Sequence, residues 1–218
     1  MRNLILLLLT LIWAAPAHAL LIDNFNTGDM SGFYPPFGPH VGSANGAGIL
    51  GGQRNWEIFN PAGGVSVDVA GGLMTLSGGG LGNISWDGED NTHSFNTASG
   101  LGGIDVAQGG GDTIFVDVDS IVGNMSVEFQ LYDSTGGLSS RSQNLSVGQN
   151  AFALANFTGT ANLADVTVMN FRFTFSGSGT VVVDSVSTNG EIVPAPLPIA
   201  LGLLALAGIC LRRRGDSA

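Results

Sequence analysis

Three phenylalanines at every second position, Phe171, Phe173 and Phe175, are separated by Arg172 and Thr174 and led in by Met169 and Asn170. That spacing constrains the fold more than any other feature of the chain. On a helix successive side chains turn by about 100°, so these rings would scatter around it, whereas on a strand they share one face. The stretch VTVMNFRFTF is therefore read as a half-buried strand. MSVEFQLYD repeats the pattern, with Val127, Phe129 and Leu131 directed inward and Ser126, Glu128 and Gln130 outward. The runs LLIDNF, NWEIF, VSVDV, LMTLS, NISWD, TIFVDV, SQNLSV and TVVVDSVST bring the strand count to about ten. Glycine clusters such as Gly71-Gly72, Gly78 to Gly80 and Gly136-Gly137 lie between the runs, where turns need positive φ. Only ANLADV suggests a helical turn, and the stretch from Asn26 to Gly52 is expected to be a long irregular loop. Short strands at this spacing define an all-β chain, a sandwich or barrel, with no fixed repeat.

The two ends differ from this body. Residues 1–19 carry Arg2, an apolar run from Leu4 to Ala15, and Ala17-His18-Ala19 as a small-x-small cleavage site, the layout of a secretory signal peptide. The run is short against the ~20 residues that span a bilayer. Residues 193–218 open with Val193-Pro194-Ala195-Pro196-Leu197-Pro198, continue through an apolar stretch to Leu211, and reach Arg212, Arg213 and Arg214. A helix can start at Pro198, because a missing N–H costs nothing at the first helical position. From there to Leu211 it would be about 21 Å long, against a hydrocarbon core of about 30 Å. Placing one arginine at the bilayer centre costs roughly 2.5 to 3.5 kcal/mol. Three in succession therefore stop transfer and stay cytoplasmic, with the body outside.

The body, residues 20–192, is long enough for one domain with its own core. It holds sixteen acidic residues against three arginines, Arg54, Arg141 and Arg172, and the chain has no lysine. Nucleic acid is excluded as a partner, since that affinity rests on neutralising phosphates with cations. The sole cysteine, Cys210, lies in the tail, so the body has no disulfide and relies on packing or metal.

At the C-terminus the proline signature, short apolar helix and basic cluster resemble the PEP-CTERM class of sorting signals, in its VPLPA-type variant. The resemblance covers about the last 25 residues. It implies export across the inner membrane of a Gram-negative bacterium and anchoring by the C-terminal helix. It further implies cutting near Pro194, Pro196, Leu197 and Pro198 by an exosortase-type enzyme, which releases the body to the cell surface or matrix. No Glu stands between the prolines, a departure from the family pattern. A second resemblance rests on LIDNFNTG opening the body and VVVDSVSTNG closing it, which look like the terminal strands of galactose-binding-like jelly rolls. It implies a jelly-roll-like sandwich with adjacent terminal strands and a structural calcium, for which Asp23 and Asp184 are the matching residues. Calcium takes six to eight oxygens, so backbone carbonyls would have to join them; turn-forming Asp is the plainer role for both.

Other motifs carry less. Gly46-Ala47-Gly48-Ile49-Leu50-Gly51 matches GxGxxG without the preceding strand and following helix that dinucleotide binding requires. DGEDNTH has Asp87, Glu89 and Asp90 spaced for a loose cation loop, yet Thr92 stands where an EF-hand needs Gly, so a solvated hairpin turn is expected. There is no GxSxG, and no catalytic residue is assigned. Glu57 and Glu128 qualify by type for glycoside hydrolysis, subject to their separation. Trp56 and Trp86 are candidates for stacking on sugar faces, each in a strand-like run where a tryptophan is core more often than platform. The expectation is an exported surface or matrix protein with a structural or adhesive role. A carbohydrate-binding module is the alternative, and a glycoside hydrolase or lyase the second.

Overall fold

The computed structural model describes residues 20–35, 39–59, 64–90, 97–107 and 111–188. The signal-peptide positions Ala17 and Ala19, the sorting motif from Val193 to Pro198 and the cluster Arg212 to Arg214 lie outside them. Among the described residues no helix is long and apolar enough to cross a membrane.

Alternation at period two builds two antiparallel seven-stranded sheets, with strands numbered in chain order. Sheet one contains β1 (Leu21–Asp23), β2 (Met30–Tyr34), β5 (Val65–Ala70), β6 (Leu73–Gly78), β8 (Thr113–Val122), β11 (Gly148–Ala153) and β14 (Gly179–Thr188). Its order is β11-β8-β14-β6-β5-β2, with β1 added beside β14. Sheet two contains β3 (Pro39–Asn45), β4 (Gln53–Phe59), β7 (Leu81–Trp86), β9 (Met125–Asp133), β10 (Leu138–Asn144), β12 (Thr158–Gly159) and β13 (Val166–Phe175), in the order β12-β10-β9-β13-β7-β4-β3. The chain crosses repeatedly from one sheet to the other, so the core forms between two faces contributed by distant segments.

The inward rows are those read from the sequence. Val127, Phe129 and Leu131 of β9 meet Met169, Phe171 and Phe173 of β13, all buried. Phe129 joins the sheets, its ring edge-on to Phe152 of β11 at 5.3 Å and to Phe171 at 5.5 Å. These are favoured T-shaped geometries. Gly82 of β7 leaves the space that Phe173 fills: a Cβ there would lie 2.4 Å from the ring.

Asp23 ends β1 facing sheet two. Its carboxylate accepts from Arg54 Nε at 2.7 Å and Nη2 at 2.8 Å, from Trp86 Nε1 at 2.9 Å and from the Phe25 amide at 2.9 Å. Arg54 is fully buried, donates also to the Gly28 carbonyl at 3.0 Å, and lies over the Phe25 ring at 5.0 Å. Beside this clasp the first and last described strands close on each other. The Leu20 amide donates to Thr188 Oγ1 at 2.9 Å, and the Thr188 amide to the Leu20 carbonyl at 2.9 Å.

The stretch from Asn26 to Gly52 departs from the expected irregular loop, because β2 and β3 run through it. Both are sheet edges: β3 has few apolar residues, and β2 does not alternate, with Met30 buried but Phe33 exposed, which is why the hydropathy pattern misses them. In β3, Gly42 accommodates the Trp56 indole, which would lie 2.1 Å from a Cβ at that position. SQNLSV is not one strand, since β10 ends at Asn144 and β11 starts at Gly148. Ala161 to Val166 turns without forming a helix, and a 3-10 turn lies instead at Leu154–Asn156.

Candidate functional site

The outer face of sheet two is built from the positions that alternate with its core. Register aligns them in rows across the strands. One row runs Ser43, Asn55, Ser85, Asn170, Gln130, Ser140 from β3 to β10; the next runs Val41, Glu57, Asn83, Arg172, Glu128, Ser142. Neighbouring side chains stand about 4.8 Å apart along a row, and rows about 7 Å apart. An outward strand face is normally hydrated, yet Asn55, Ser85, Asn170 and Gln130 are buried.

Hydrogen bonds fix these side chains to one another. Asn170 Nδ2 donates to Gln130 Oε1 at 2.8 Å, Gln130 Nε2 donates to Glu128 Oε2 at 3.1 Å, and Tyr132 Oη reaches Gln130 Oε1 at 3.4 Å. Arg172 Nη1 stands 3.7 Å from Glu128 Oε2 with both side chains partly exposed, so their attraction is screened and small. Burial raises the pKa of the Tyr132 phenol, the Glu128 charge raises it further, and Arg172 offsets part of this. Tyr132 therefore stays a hydroxyl donor across physiological pH. The result is a fixed array in which Glu128, Arg172 and Tyr132 are partly exposed and can meet a polar ligand, while the buried amides of Asn170 and Gln130 hold them in place.

The expected site residues take other places. Trp86 is wholly buried, its indole N–H spent on Asp23, and has no open face to offer a sugar. Trp56 lies in an inward register row, packed on the core and over Gly42. Tyr132 is an aromatic on the polar face, legible from the alternation of Glu128, Gln130 and Tyr132 in MSVEFQLYD but not singled out there, and Phe59 follows Asn55 and Glu57 on the same face of β4. Asp23 faces Arg54 and Trp86, whereas Asp184 is exposed at an irregular step in β14. Burial and the charges of Asp117 and Asp119 raise its pKa. The two do not share a site.

Asp87 is buried and accepts from Asn55 Nδ2 at 2.6 Å, Glu89 accepts from Asn45 Nδ2 at 3.2 Å, and the Asp90 amide reaches Gln53 Oε1 at 3.5 Å. This loop is bound to β3 and β4 rather than standing as a solvated turn. Among the described residues no three His, Cys, Asp or Glu side chains group as a metal site. Glu57 and Glu128 lie three strands apart, about 14 Å in backbone spacing, with Asn83 and Arg172 between them in register. They do not face each other across a gap that a glycosidic bond could enter.

No protein-family model matches the sequence, and no curated protein does. Among solved structures the chain is similar to the family 11 carbohydrate-binding module of a cellulosomal cellulase of Clostridium thermocellum. The identity is 13% and the TM-score 0.42, covering 81% of this chain and 97% of that one. A complex of such a module with a mixed-linked beta-1,3-1,4 tetrasaccharide matches at 12% identity and TM-score 0.39, over 82% of this chain and 99% of that one. An exo-beta-agarase matches at 9% and 0.41 over 79% of this chain, which spans only 25% of the agarase. At these similarities the matches carry no argument about ligand or activity.

Proposed function

We propose that the protein is an exported, non-catalytic carbohydrate-binding module whose polysaccharide lies along the outer face of sheet two. The observation that carries this reading is the aligned row Glu57, Asn83, Arg172, Glu128, Ser142, partly exposed along its length, with Tyr132 nearby on β9 and the buried row Asn55, Ser85, Asn170, Gln130 fixed beside it. Sugars present hydroxyls at intervals of a few ångströms and bind through arrays of fixed donors and acceptors. Such an array costs little to order when its members already hold one another. Export rests on the leader pattern of residues 1–19. Surface sorting rests on the proline, apolar and arginine sequence of residues 193–218, through which an exosortase-type enzyme and the membrane would act as partners.

Retention of the full chain in native gels cast with different polysaccharides tests the reading. At least one polymer should slow it, and Tyr132→Ala and Arg172→Ala should each weaken that binding by roughly tenfold or more, the cost of a hydrogen bond to a charged or buried group. Mobility unchanged by every polymer, or retention indifferent to both substitutions, would return the protein to a purely structural or adhesive role.

A further inference from the structure

The outer edge of β3 is open. It is the last strand of sheet two, pairs among the described residues with β4 alone, and carries Val41 half-exposed. Which of its backbone groups point outward follows from register. Gly46 continues the β3–β4 pairing opposite Gly52, and its amide donates to the Gly52 carbonyl at 3.0 Å. Along an antiparallel pair, bonded and non-bonded residues alternate. His40, Gly42 and Ala44 therefore bond to β4, whereas Val41 and Ser43 turn their N–H and C=O groups to the open edge. Toward Asn45 the edge closes, because the chain at Gly28 comes alongside: a Cβ there would lie 3.3 Å from the Asn45 carbonyl oxygen.

Sheet edges are normally defended by shortness, charge or capping groups. The other edges of this fold follow that rule. β12 is only two residues long, β2 starts beside Asp29 and sets Ser31 against Asp68, and at β11 the Asn150 amide donates to the carbonyls of Ser146 at 2.7 Å and Gly148 at 2.8 Å. β3 has none of these defences. Residues 30–53 contain no Asp, Glu, Lys or Arg, in a body with sixteen acidic residues against three arginines. Copies of so acidic a chain repel across most of their surface, and an uncharged edge is where they can approach.

We infer that β3 is a self-association edge, where a second copy of the chain pairs antiparallel about a two-fold axis through Gly42. Val41 then lies opposite the partner's Ser43, and Ser43 opposite the partner's Val41, each pair exchanging both N–H···O bonds. The same sequence satisfies itself, as an isologous contact requires. Glu57, beside Val41 in register, stays at least three strand spacings from the partner's Glu57, about 14 Å, beyond a screening length of about 8 Å. Opposite residues of a pair share a face, so the two copies join their second sheets into one continuous surface. That extension of the ligand face rests on the function proposed above; the pairing itself does not. One strand edge buries less than the roughly 1,000 Å² of a stable interface. The association is accordingly weak, and suits copies gathered on one surface or one polymer, where local concentration is high.

Sedimentation velocity of the full chain in mild detergent, without polysaccharide, tests the edge. The mass should rise with protein concentration, and more steeply at high salt, which screens the repulsion. Ser43→Pro removes an outward donor that β4 does not use, so it should weaken association about tenfold or more and leave the melting temperature nearly unchanged. Ser43→Asp, which keeps the backbone intact and decides the matter should Ser43→Pro not fold, should weaken it by repulsion that high salt partly reverses. Ser120→Asp, on the exposed face of sheet one, should have little effect. A single mass at every concentration, association that both Ser43 variants leave intact, or equal weakening by Ser120→Asp would overturn the edge. Because no polymer is present, failure here and failure of polysaccharide retention are separate results.

Discussion

Asp133, at the end of β9, shows how one side chain can hold a loop. Its carboxylate accepts from the Asn162 amide at 2.7 Å, from Thr135 Oγ1 at 2.7 Å, from the Gly137 amide at 2.8 Å and from the Thr135 amide at 2.9 Å. The Asn162 N–H, the Thr135 hydroxyl and the Gly137 N–H, in that order, lower its pKa to about 2. The folded value lies below the unfolded one, so the ionised form adds stability above about pH 4. That contribution drains away as pH falls toward 2. Denaturant midpoints measured between pH 6 and pH 2 should decline over that window, and Asp133→Asn should remove the part of the decline that belongs to this group. A wild-type and variant curve of identical shape would show that the hydrogen bonds do not discriminate between the charged and neutral carboxyl. None of this was visible in the sequence, where Asp133 is only the last residue of the strand-like run MSVEFQLYD. Its partners at Asn162 and Gly137 come from two different loops.

At the scale of the element, alternation gave a correct account of the strands that are half buried and an incomplete one of the edges. β9 and β13 were legible because each places large apolar residues against the opposing sheet. β3 was not, since an edge strand pairs through its backbone on one side and needs little hydrophobicity, and this one contains Gly42, a residue depleted in strands. The polar rows of sheet two were half legible. Outward positions could be assigned within each strand, but strand order, which brings Asn55, Ser85 and Asn170 into line, follows from the tertiary fold. Gly42→Val provides a test of the β3 edge. A side chain there overlaps the Trp56 ring, so the indole must leave its seat. Overpacking of this kind costs about 1 to 3 kcal/mol. Tryptophan emission should shift to the red as the melting temperature falls. An unchanged spectrum would mean that Trp56 is not held by Gly42.

Across the whole molecule, the Asp23, Arg54 and Trp86 clasp connects the sheets, because β1 belongs to one and β4 and β7 to the other. Removing one partner of a buried ion pair strands the other charge, which costs about 3 to 5 kcal/mol. Asp23→Asn should accordingly cause a loss of that order in denaturant titration. The paired replacement Asp23→Leu with Arg54→Met should recover most of it; equal losses in the single and the double variant would show that shape rather than charge dominates there. The meeting of Leu20 with Thr188 has a mechanical consequence. In this antiparallel pair the two ends of the described body emerge side by side, so tension applied to both would load one hydrogen bond at a time, from Thr188 inward. Force would peel the β1 seam open like a zip rather than shear it, and the seam would yield to a gentle tug long before the sandwich behind it did.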